Sequence, residues 1–511
     1  MARLTRRALL ASAALGAAAG AVPTAAALAA PRIPAKPPVA DERERTLRRW
    51  AADTWRSIDA MTQSATGLVD DNIDGDLARR GGHTSPTNIG GYLWSVLVAR
   101  DLGILTPGHA RRRISRTLRT LETMERHEPS GMYANWYVPA DGSLLRTWPD
   151  DGTTVVPFVS SVDMGWLGAA LRVVANADPS NAKRARALLD GMRWDVFFDP
   201  DFTRSPGASV GGFWLEDPSR PEASKRPPLN GVGGPDVWYH ITHHYDTAIS
   251  EARMVTYLGI IAGQIPAGAY FATYRTFPPD WTWQESAPQG EWDRYEGVDV
   301  YEGAYPYRDM LVVPGWGGSM FEELMPDLFV PEATWAPRSW GVNHALHVRA
   351  QREHGLDEAG YGYWGFSPCS NPAGGYREYG VDALGLNPEG YFSDQERTDR
   401  RDGEPVPSYG DGVVTPHAGF LGMQYEPDAG YDNLVRIEQE LGCYGPGGFY
   451  DAAATRSGQI ARRHLSLDQS MIMGALGNIL RGDRVRTWFG DAEARAALEP
   501  VIGQEEFGAR G

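Results

Sequence analysis

Apolar residues recur at intervals of three and four along most of the chain, which is the period of an amphipathic α-helix. The stretches with this period are separated by long loops rich in glycine and tryptophan. They predict helices over residues 41–61, 88–102, 109–126, 161–175, 181–192, 248–262, 320–328, 339–354, 430–441, 466–480 and 492–498. Strand signals are few, at 157–160 and 310–314. The pattern predicts an all-α fold.

The helices show no division into separate groups. No motif repeats at a fixed period, so a solenoid is not expected. No break in composition splits the array into halves. Paired helices joined by elaborate loops therefore predict a single α/α toroid over residues 41–505, in which inner helices surround a central cleft.

The first 30 residues have the character of an export signal. A pair of arginines precedes a run of Ala, Leu and Gly, and Ala27 and Ala29 occupy the A-x-A positions of a cleavage site. The apolar run is short for a membrane span, and the arginine pair is typical of a twin-arginine signal. Residues 31–40 predict a stiff, proline-rich linker. We expect a secreted protein without membrane contact after cleavage.

The charge and the aromatic content narrow the possible partners. A formal net charge of −16 argues against nucleic acid and anionic membranes, because both need basic patches. Cys369 and Cys443 could pair in an oxidising exterior, but two cysteines do not make a disulfide scaffold. The 17 Trp and 22 Tyr exceed the needs of a core, and such rings stack on sugar faces. We expect a glycan partner, no cofactor and a monomer.

Three acidic residues are predicted to open apolar helices on their inward faces. Asp163, Glu251 and Asp468 each precede apolar residues at offsets of 3, 4 and 7, which places acid and apolar stripe on one face. Asp163 and Asp468 also match capping boxes, in which the acid serves the helix end alone. Glu251 has no Ser or Thr three residues before it, so capping does not explain its position.

Carboxylates that share a cleft are what glycoside hydrolysis needs. One protonates the leaving oxygen, while the other activates water or attacks the sugar. A Glu among apolar and aromatic groups has a raised pKa, so Glu251 suits the acid. An Asp held by helix N-terminal amides keeps a low pKa, so Asp163 suits the base or nucleophile.

Several long motifs resemble the glycoamylase-like domain family. They are TSPTNIGGYLWSVLVARDLG (84–103), SSVDMGWL (160–167), YHITHHYDTAISEARMVTYLGIIAG (239–263), WGGSMFEELMPDL (316–328), YGYWGFSPCSNPAGGY (361–376), VVTPHAGFLGMQYEPDAGYDNLVRI (413–437), GPGGFYDA (445–452) and LSLDQSMIMGALGNILRGDRVRTWF (465–489). The resemblance implies an (α/α)6 toroid that acts on β-linked glucans. The similar branches are endo-β-1,2-glucanases, which hydrolyse with inversion, and the transglycosylating domain of cyclic β-1,2-glucan synthases.

The resemblance also implies roles for individual residues. Asp163, Glu251 and the pair Asp468-Gln469 match acidic motifs of the family. The residue before Glu251 is Ser, where Asn is expected in the glucanases. SMFEELMP is more similar to the synthase branch, which makes Glu322 a third candidate catalytic carboxylate. These departures leave the substrate and the stereochemistry open.

The stretch WYHITHHYD at 238–246 crowds histidines and aromatic rings together. His240 and His244 have the spacing of a helical zinc site, but no Glu follows His240 as in H-E-x-x-H. Purely structural histidines are a second interpretation. The resemblance favours a third, a loop over the cleft in which His243, His244 and Tyr245 bind the sugar.

Other candidates for substrate binding lie in loops. Trp214, Trp316 and Trp364 lie in Gly-rich loops, where a ring serves either as a stacking platform or as an anchor of the loop. His417 and Asp451 are further candidates for the cleft, and the resemblance adds Asp468 and Gln469.

These observations predict an exported glycoside hydrolase that cleaves a β-glucan, with β-1,2-glucan as the first expectation and inversion as the expected outcome. A transglycosylase on a similar toroid is one alternative. A polysaccharide lyase is another, with Arg253 neutralising a uronate and His243 or Tyr245 as base. A non-catalytic glycan-binding protein would keep the aromatic loops but would not explain the inward acids.

Overall fold

Helices make up most of the regular structure, as the apolar period predicts. The computed structural model describes residues 42–282, 284, 286–387 and 409–511. Its helices are α1 (Glu42–Met61), α2 (Pro86–Asp101), α3 (Pro107–Leu121), α4 (Ser161–Ala177), α5 (Ala182–Asp190), α6 (Arg253–Ile261), α7 (Gly268–Phe271), α8 (Met320–Leu324), α9 (Glu332–Trp335), α10 (Trp340–Glu353), α11 (Pro416–Gly422), α12 (Pro427–Gln439), α13 (Ser466–Arg481), α14 (Arg484–Phe489) and α15 (Ala492–Ile502). The predicted signal and linker lie outside the described residues.

The loops contain many short strands, so the all-α prediction was wrong in this respect. They are β1 (Asn72–Asp74), β2 (Arg126–His127), β3 (Met132–Tyr133), β4 (Phe158–Ser160), β5 (Phe198–Asp199), β6 (Ala208–Val210), β7 (Gly212–Trp214), β8 (Ala223–Arg226), β9 (Val237–His240), β10 (His244–Tyr245), β11 (Trp292–Tyr295), β12 (Val298–Tyr301), β13 (Tyr305–Tyr307), β14 (Met310–Val312), β15 (Cys369–Ser370), β16 (Tyr376–Arg377), β17 (Val413–Val414), β18 (Tyr444–Gly445), β19 (Gly448–Phe449), β20 (Ala452–Ala454), β21 (Ile460–Ala461) and β22 (Arg463–Leu465). They pair antiparallel in sheets of 2 to 4 strands. Strands this short show no measurable alternation of apolar and polar residues, so the sequence pattern does not predict them.

The helices pack in two layers. In the inner layer, α2 packs between α13 and α4, α4 packs on α6, and α8 packs on α11, which packs on α13. Arg253 of α6 donates to the carbonyl oxygens of Glu322 and Glu323 in α8 and so joins these two helices. On the other side, α1 packs on α13, α3 on α2, α5 on α4, α10 on α8, α12 on α11 and α15 on α6.

The inner helices are apolar on all sides because they are covered on all sides. Every residue of α2 from Pro86 to Ala99 is buried, whereas α3 buries one stripe only. Glycines permit the closest approaches between inner helices. A methyl group at Gly90 would lie 2.9 Å from the carbonyl oxygen of Trp166, so α2 and α4 could not pack as they do with a larger residue there.

One predicted helix begins later than its apolar period suggests. The period extends from residue 248, but α6 begins at Arg253, so Glu251 lies in a turn before the helix and not in its first turn. The backbone before it is held by neighbouring loop segments, since Ala248 N donates to Tyr274 O and Ile249 forms an isolated parallel bridge with Gly315. These contacts keep the segment extended.

Residues 42–511 form one unit by their internal contacts. The sheet of order β4-β7-β9-β8 leads into α4, and the sheet of order β10-β6-β5 precedes the turn that carries Glu251. Among the described residues we find no helix with both the length and the apolar character that crossing a membrane requires.

Candidate active site

A cleft of about 840 Å³ opens at the starts of the inner helices. Glu251 just before α6, Glu322 in the first turn of α8 and Leu467 in the first turn of α13 all contribute to its wall. Its aromatic lining consists mainly of Phe202, Phe277, Trp281, Trp316, Phe321 and Tyr376. Carboxylates beside aromatic faces give this cleft the composition of a sugar-binding site.

The carboxyl group of Glu251 in this wall has a strongly raised pKa. Burial raises its pKa to about 8, and the negative charges of Asp163 and Glu322 add to the shift. The indole Nε1 of Trp166 donates to Oε2 of Glu251 over 2.7 Å, and the charge of Arg253 also opposes the shift. The carboxyl group is therefore largely protonated at neutral pH and can give up a proton, as the sequence predicts.

Asp163 lies at the third position of α4, behind a cap made by the hydroxyl of Ser160. Thr87 of α2 donates to its Oδ1 over 2.6 Å, and the amide of Asn135, turned with its nitrogen towards the carboxylate, donates to Oδ2 over 2.6 Å. Burial nevertheless raises the pKa of Asp163. The expectation of a low pKa was wrong, because loss of water outweighs these hydrogen bonds.

Glu322 occupies the third position of α8 and faces the cleft. Ser319 caps this helix by accepting from the amide of Glu322, while its hydroxyl lies 2.9 Å from Oε2 of the same residue. The Ser319 hydroxyl thus both caps the helix and orients a cleft carboxylate. The capping and functional interpretations of a third-position acid are therefore compatible.

The hydroxyl of Tyr245 experiences the charges of all three candidate catalytic carboxylates. Burial raises the pKa of its hydroxyl, and Glu251, Asp163 and Glu322 add their negative charges to the effect. A hydroxyl that stays neutral keeps its proton and can donate it in a hydrogen bond. The structure thus brings the three predicted acids together around one cleft residue.

A second acidic pair lies beside the cleft, at the start of α13. Burial raises the pKa of Asp468 to about 7, although a hydrogen bond with Asp451 opposes the shift. Burial and the negative charge of Asp468 also raise the pKa of Asp451 well above its ordinary value, so ionisation of both carboxyl groups together is disfavoured. His417 Nδ1 lies 3.2 Å from Oδ2 of Asp468. The hydroxyl of Tyr376, which lines the cleft, experiences the charges of Asp468, Glu251 and Asp451.

The histidine-rich stretch forms β9, a turn and β10, and not a helix. Residues four apart are neighbours on one face of a helix, which this stretch does not form, so the i, i+4 spacing by itself does not bring His240 and His244 together. The basis of the zinc interpretation is therefore removed. His240 stacks on Trp214, whereas Nε2 of His244 lies 3.1 Å from Asp199. His243 and His244 line the cleft with Tyr245, as predicted.

Six of the predicted substrate-binding residues do not line the cleft. His417, Asp451 and Asp468 are buried beside it, and the other three are Gln469, Trp364 and Trp214. Gln469 donates to Phe449 O and accepts from Ser57 of α1, because one residue beyond Asp468 the helix has turned by about 100°. Trp364 is 1% exposed and packs against Gly422 in the core. Trp214 is 7% exposed and supports His240 from behind. Trp316, in contrast, is 37% exposed and lines the cleft.

Several aromatic residues of the cleft had no sequence signal. Phe202 and Phe277 lie in irregular loops and Tyr376 lies in the two-residue strand β16, and local periodicity cannot place any of them. Trp281 lies in a Pro- and Trp-rich stretch that resembles the loops containing the predicted tryptophans, so its composition could have identified it.

One group of buried residues has the spacing of metal ligands. Among the described residues, one ligand atom each from Asp327, Glu332 and His344 lies within 4.8 Å of the others. His344 Nδ1 contacts Glu323 over 2.6 Å, and its Nε2 lies 3.3 Å from Glu332. Burial disfavours a charged imidazole, yet Glu323 and Glu332 together raise the pKa of His344 to about 9.

The charges around this group favour a proton over a metal ion. The network contains the carboxylates of Glu323, Asp327 and Glu332 and the guanidinium groups of two arginines, Arg253 and Arg486. A protonated His344 makes the net charge of these six groups zero. A divalent cation in place of the His344 proton would leave one uncompensated positive charge between the two arginines. Burying an uncompensated charge is unfavourable. We therefore describe Asp327, Glu332 and His344 as part of a structural ionic network.

Two family models match separate parts of this unit. Residues 49–197 match a family described as "Protein of unknown function (DUF3131)", and residues 243–489 match one described as "Glycoamylase: Putative glucoamylase". Residues 243–489 form a glycoamylase-like domain. This region contributes Glu251, Glu322 and Asp468, while Asp163 comes from the first match.

A curated relative shares the glycoamylase-like region. The cyclic β-(1,2)-glucan synthase NdvB of Rhizobium meliloti is 23% identical to this chain, over 88% of the chain and 18% of NdvB. The chain thus spans less than a fifth of the relative that it matches.

Solved structures share the fold of this chain at low sequence identity. An endo-β-1,2-glucanase from Chitinophaga pinensis superposes with a TM-score of 0.63 at 15% identity, over 91% of this chain and 99% of that one. A β-1,2-glucanase from Parabacteroides distasonis gives 0.64 at 15% identity, over 91% and 60%. A putative glucoamylase from Bacteroides uniformis gives 0.63 at 14% identity, over 91% and 98%. The shared fold is that of a helical toroid.

Proposed function

We propose that the protein is an exported glycoside hydrolase that cleaves a β-glucan, with β-1,2-glucan as the preferred substrate. The observation that carries this proposal is the environment of Glu251, a protonated carboxyl group that faces a carbohydrate-sized cleft beside two further carboxylates. The same fold occurs in endo-β-1,2-glucanases. The succession of inner and outer helix contacts supports the (α/α)6 arrangement that we propose for the toroid.

In the proposed mechanism Glu251 gives its proton to the glycosidic oxygen as the bond from that oxygen to the anomeric carbon breaks. Glu322 takes a proton from the water that attacks this carbon, which gives inversion. We assign the base to Glu322 because its side chain lines the cleft, which that of Asp163 does not. Burial, with a further contribution from the negative charge of Asp163, then keeps Glu251 protonated.

The decisive variant is Glu251→Gln, which keeps the shape of the side chain and removes its acid. We expect hydrolysis of β-1,2-glucan to fall by roughly a hundredfold or more, because general acid catalysis contributes at least that much. The release of reducing ends from a panel of β-glucans measures this loss. Glu302→Gln is the matched control, since Glu302 is also buried with a raised pKa but does not line the cleft. Wild-type rates in E251Q would remove Glu251 from the mechanism.

Transglycosylation is a second candidate function, favoured by the similarity to NdvB and by the synthase-like motif around Glu322. Incubation with short β-1,2-glucan oligosaccharides distinguishes the two, because a transglycosylase makes products longer than its substrate and a hydrolase does not. Proton NMR of the first product anomer then reports inversion or retention.

The lyase alternative needs Arg253 to neutralise a uronate carboxylate, and the structure does not place Arg253 in the cleft. Arg253 is 6% exposed, and its donors are directed at protein carbonyls and at Glu332, so it cannot reach a uronate in the cleft. An unsaturated product with ultraviolet absorbance would revive this alternative.

A further inference from the structure

Arg253 is a buried guanidinium group directly behind the candidate catalytic residues. Its Nε and one terminal nitrogen bind the two oxygens of Glu332 at 2.7 and 2.8 Å. The terminal nitrogens also donate to the carbonyl oxygens of Ser250, Glu322 and Glu323 at 2.9, 2.7 and 2.6 Å. One side chain thus holds three backbone positions.

Two of these carbonyls belong to the site itself. Ser250 precedes Glu251 in the chain, and the carbonyl of Glu322 belongs to the residue that we assign as base. The helices α6 and α8, which follow and carry these residues, do not pack extensively against each other. Arg253 therefore links the two backbone segments by side-chain hydrogen bonds, in addition to the bridge between Ile249 and Gly315.

The surroundings hold the guanidinium group in one orientation. Its central carbon lies 4.3 Å from the ring centroid of Trp340, and both Glu332 oxygens accept from it. Burial opposes ionisation of Glu332, but Arg253 and His344 lower its pKa to about 2, so the pair stays ionised at neutral pH. A planar fork with five donors is needed for these contacts, and a lysine cannot supply it.

We propose that Arg253 is a positioning residue that sets the separation between the carboxyl groups of Glu251 and Glu322. It does not touch the substrate, since it is absent from the lining of the cleft. The activity part of this inference depends on the proposed hydrolase function. The separation of the two carboxyl groups decides whether a water molecule fits between them, so a small shift changes the rate more than the affinity.

The effect of Arg253 on the pKa of Glu251 can be separated from its effect on the distance between the carboxyl groups of Glu251 and Glu322. Glu251 faces Asp163 and Trp166 from α4, Glu322 from α8, Tyr245 from β10 and Arg253 from its own segment. The charge of Arg253 lowers the pKa of Glu251. A lysine at position 253 keeps the charge and loses the fork, whereas a glutamine loses both.

The test compares Arg253→Lys with Glu332→Gln. For R253K we expect kcat on β-1,2-glucan to fall at least tenfold, with KM and the alkaline limb of the pH profile close to wild type. E332Q should unfold more easily, since it weakens the ionic network, yet keep kcat within about threefold because the three carbonyl contacts remain. Equal losses of kcat in both variants, or a wild-type kcat in R253K, would overturn the proposal.

Two further measurements cover the remaining outcomes. If R253K does not fold, the double variant R253Q/E332Q replaces the ion pair by a neutral pair. Its kcat should fall, and the alkaline limb of its pH profile should shift to higher pH. An unshifted pH profile with a normal kcat contradicts the proposal. A crystal structure of the folded variant should show a changed separation of the Glu251 and Glu322 carboxyl groups. This readout tests the positioning role even if no β-glucan is hydrolysed, which would refute the proposed function alone.

Discussion

At the scale of single residues, a glycine permits His243 to face the cleft. A methyl group at Gly211 would lie 2.2 Å from Cδ2 of His243. The imidazole cannot easily move aside, since it packs edge-on against Tyr245 with ring centroids 4.8 Å apart and lies 5.5 Å from His240. Gly211 N also donates to His243 O, which fixes the two segments together.

Gly211→Ala should therefore displace the imidazole and weaken substrate binding. We expect KM for the glucan to rise about tenfold, with a loss of stability of about 1 to 3 kcal/mol from overpacking. Gly108→Ala is the control, because only the end of the Arg112 side chain, 3.5 Å away, is near the added methyl group. Steady-state kinetics and urea unfolding of both variants measure the difference. An unchanged KM in G211A would show that His243 does not bind substrate.

The sequence identifies the acids of this site better than its other residues. Asp163, Glu251 and Asp468 are recognisable because a charged group at the head of an apolar stripe has few structural reasons to be there, whereas Glu322 was identified only through the family resemblance. Gln469 and Trp364 were misassigned because an amide and an indole are equally at home in a core. Their side-chain directions depend on tertiary packing that the local pattern does not contain.

At the scale of elements, the starts of the inner helices combine capping with function. Ser160 caps α4 at Asp163, and Ser319 caps α8 at Glu322, so in both helices the capped residue is a candidate catalytic acid. The helix N-terminus favours a negative charge at this position, which partly offsets burial of the acid. A helical toroid thus offers several such positions around one cleft.

Ser319→Ala tests this combination. The lost cap should destabilise the protein by about 1 kcal/mol, and the lost hydrogen bond to the Glu322 carboxylate should lower kcat roughly tenfold. Thr106→Ala removes the cap of α3, an outer helix, where the side chain accepts only from His109 N. It should lose similar stability and no activity. If the two variants have the same kcat, Ser319 does not orient Glu322.

Helices were predictable where a stretch with the apolar period is long, and less predictable where a proline interrupts the helix or the helix is short. The predicted helix over 320–328 ends as α8 at Leu324, with a separate 3-10 turn at Pro326–Leu328, because proline cannot continue the hydrogen-bond ladder. The helix α11, Pro416–Gly422, was missed since seven residues contain too few turns to show a period.

At the scale of the whole molecule, the buried acids set the dependence of stability on pH. The folded-state pKa values of Glu251, Asp468 and Glu302 are raised to about 8, 7 and 9. Each of these groups binds a proton more tightly in the folded than in the unfolded chain, so its contribution to stability is complete below its unfolded pKa and is lost as pH rises towards the folded value.

Other charged groups limit the stable range in different directions. Arg253 and His344 lower the pKa of Glu332 to about 2, so its contribution is present above the unfolded pKa and is lost as pH falls towards 2. His344 itself, with its pKa raised to about 9, stabilises below its unfolded value and loses this effect as pH rises through 9. We therefore expect the greatest stability near pH 5 and a decline through neutral to alkaline pH.

Glu302 allows this expectation to be tested away from the active site. Burial and the negative charge of Glu505 raise its pKa, although Arg275 opposes the shift. Between about pH 5 and pH 9 the folded state holds one proton at Glu302 that the unfolded state has lost, so the free energy of unfolding falls by about 1.4 kcal/mol per pH unit on this account.

Glu302→Gln should remove this share of the slope, because an amide keeps its donor and has no charge to lose. Urea unfolding at five pH values from 5 to 9 measures the slope, and Glu291→Gln, an exposed glutamate of the same region, is the control that should leave it unchanged. Activity on the glucan should be retained in both variants, since neither residue lines the cleft. Equal slopes in E302Q and wild type would mean that Glu302 ionises in the folded protein at its ordinary pKa, with water reaching the pair that it forms with Glu505.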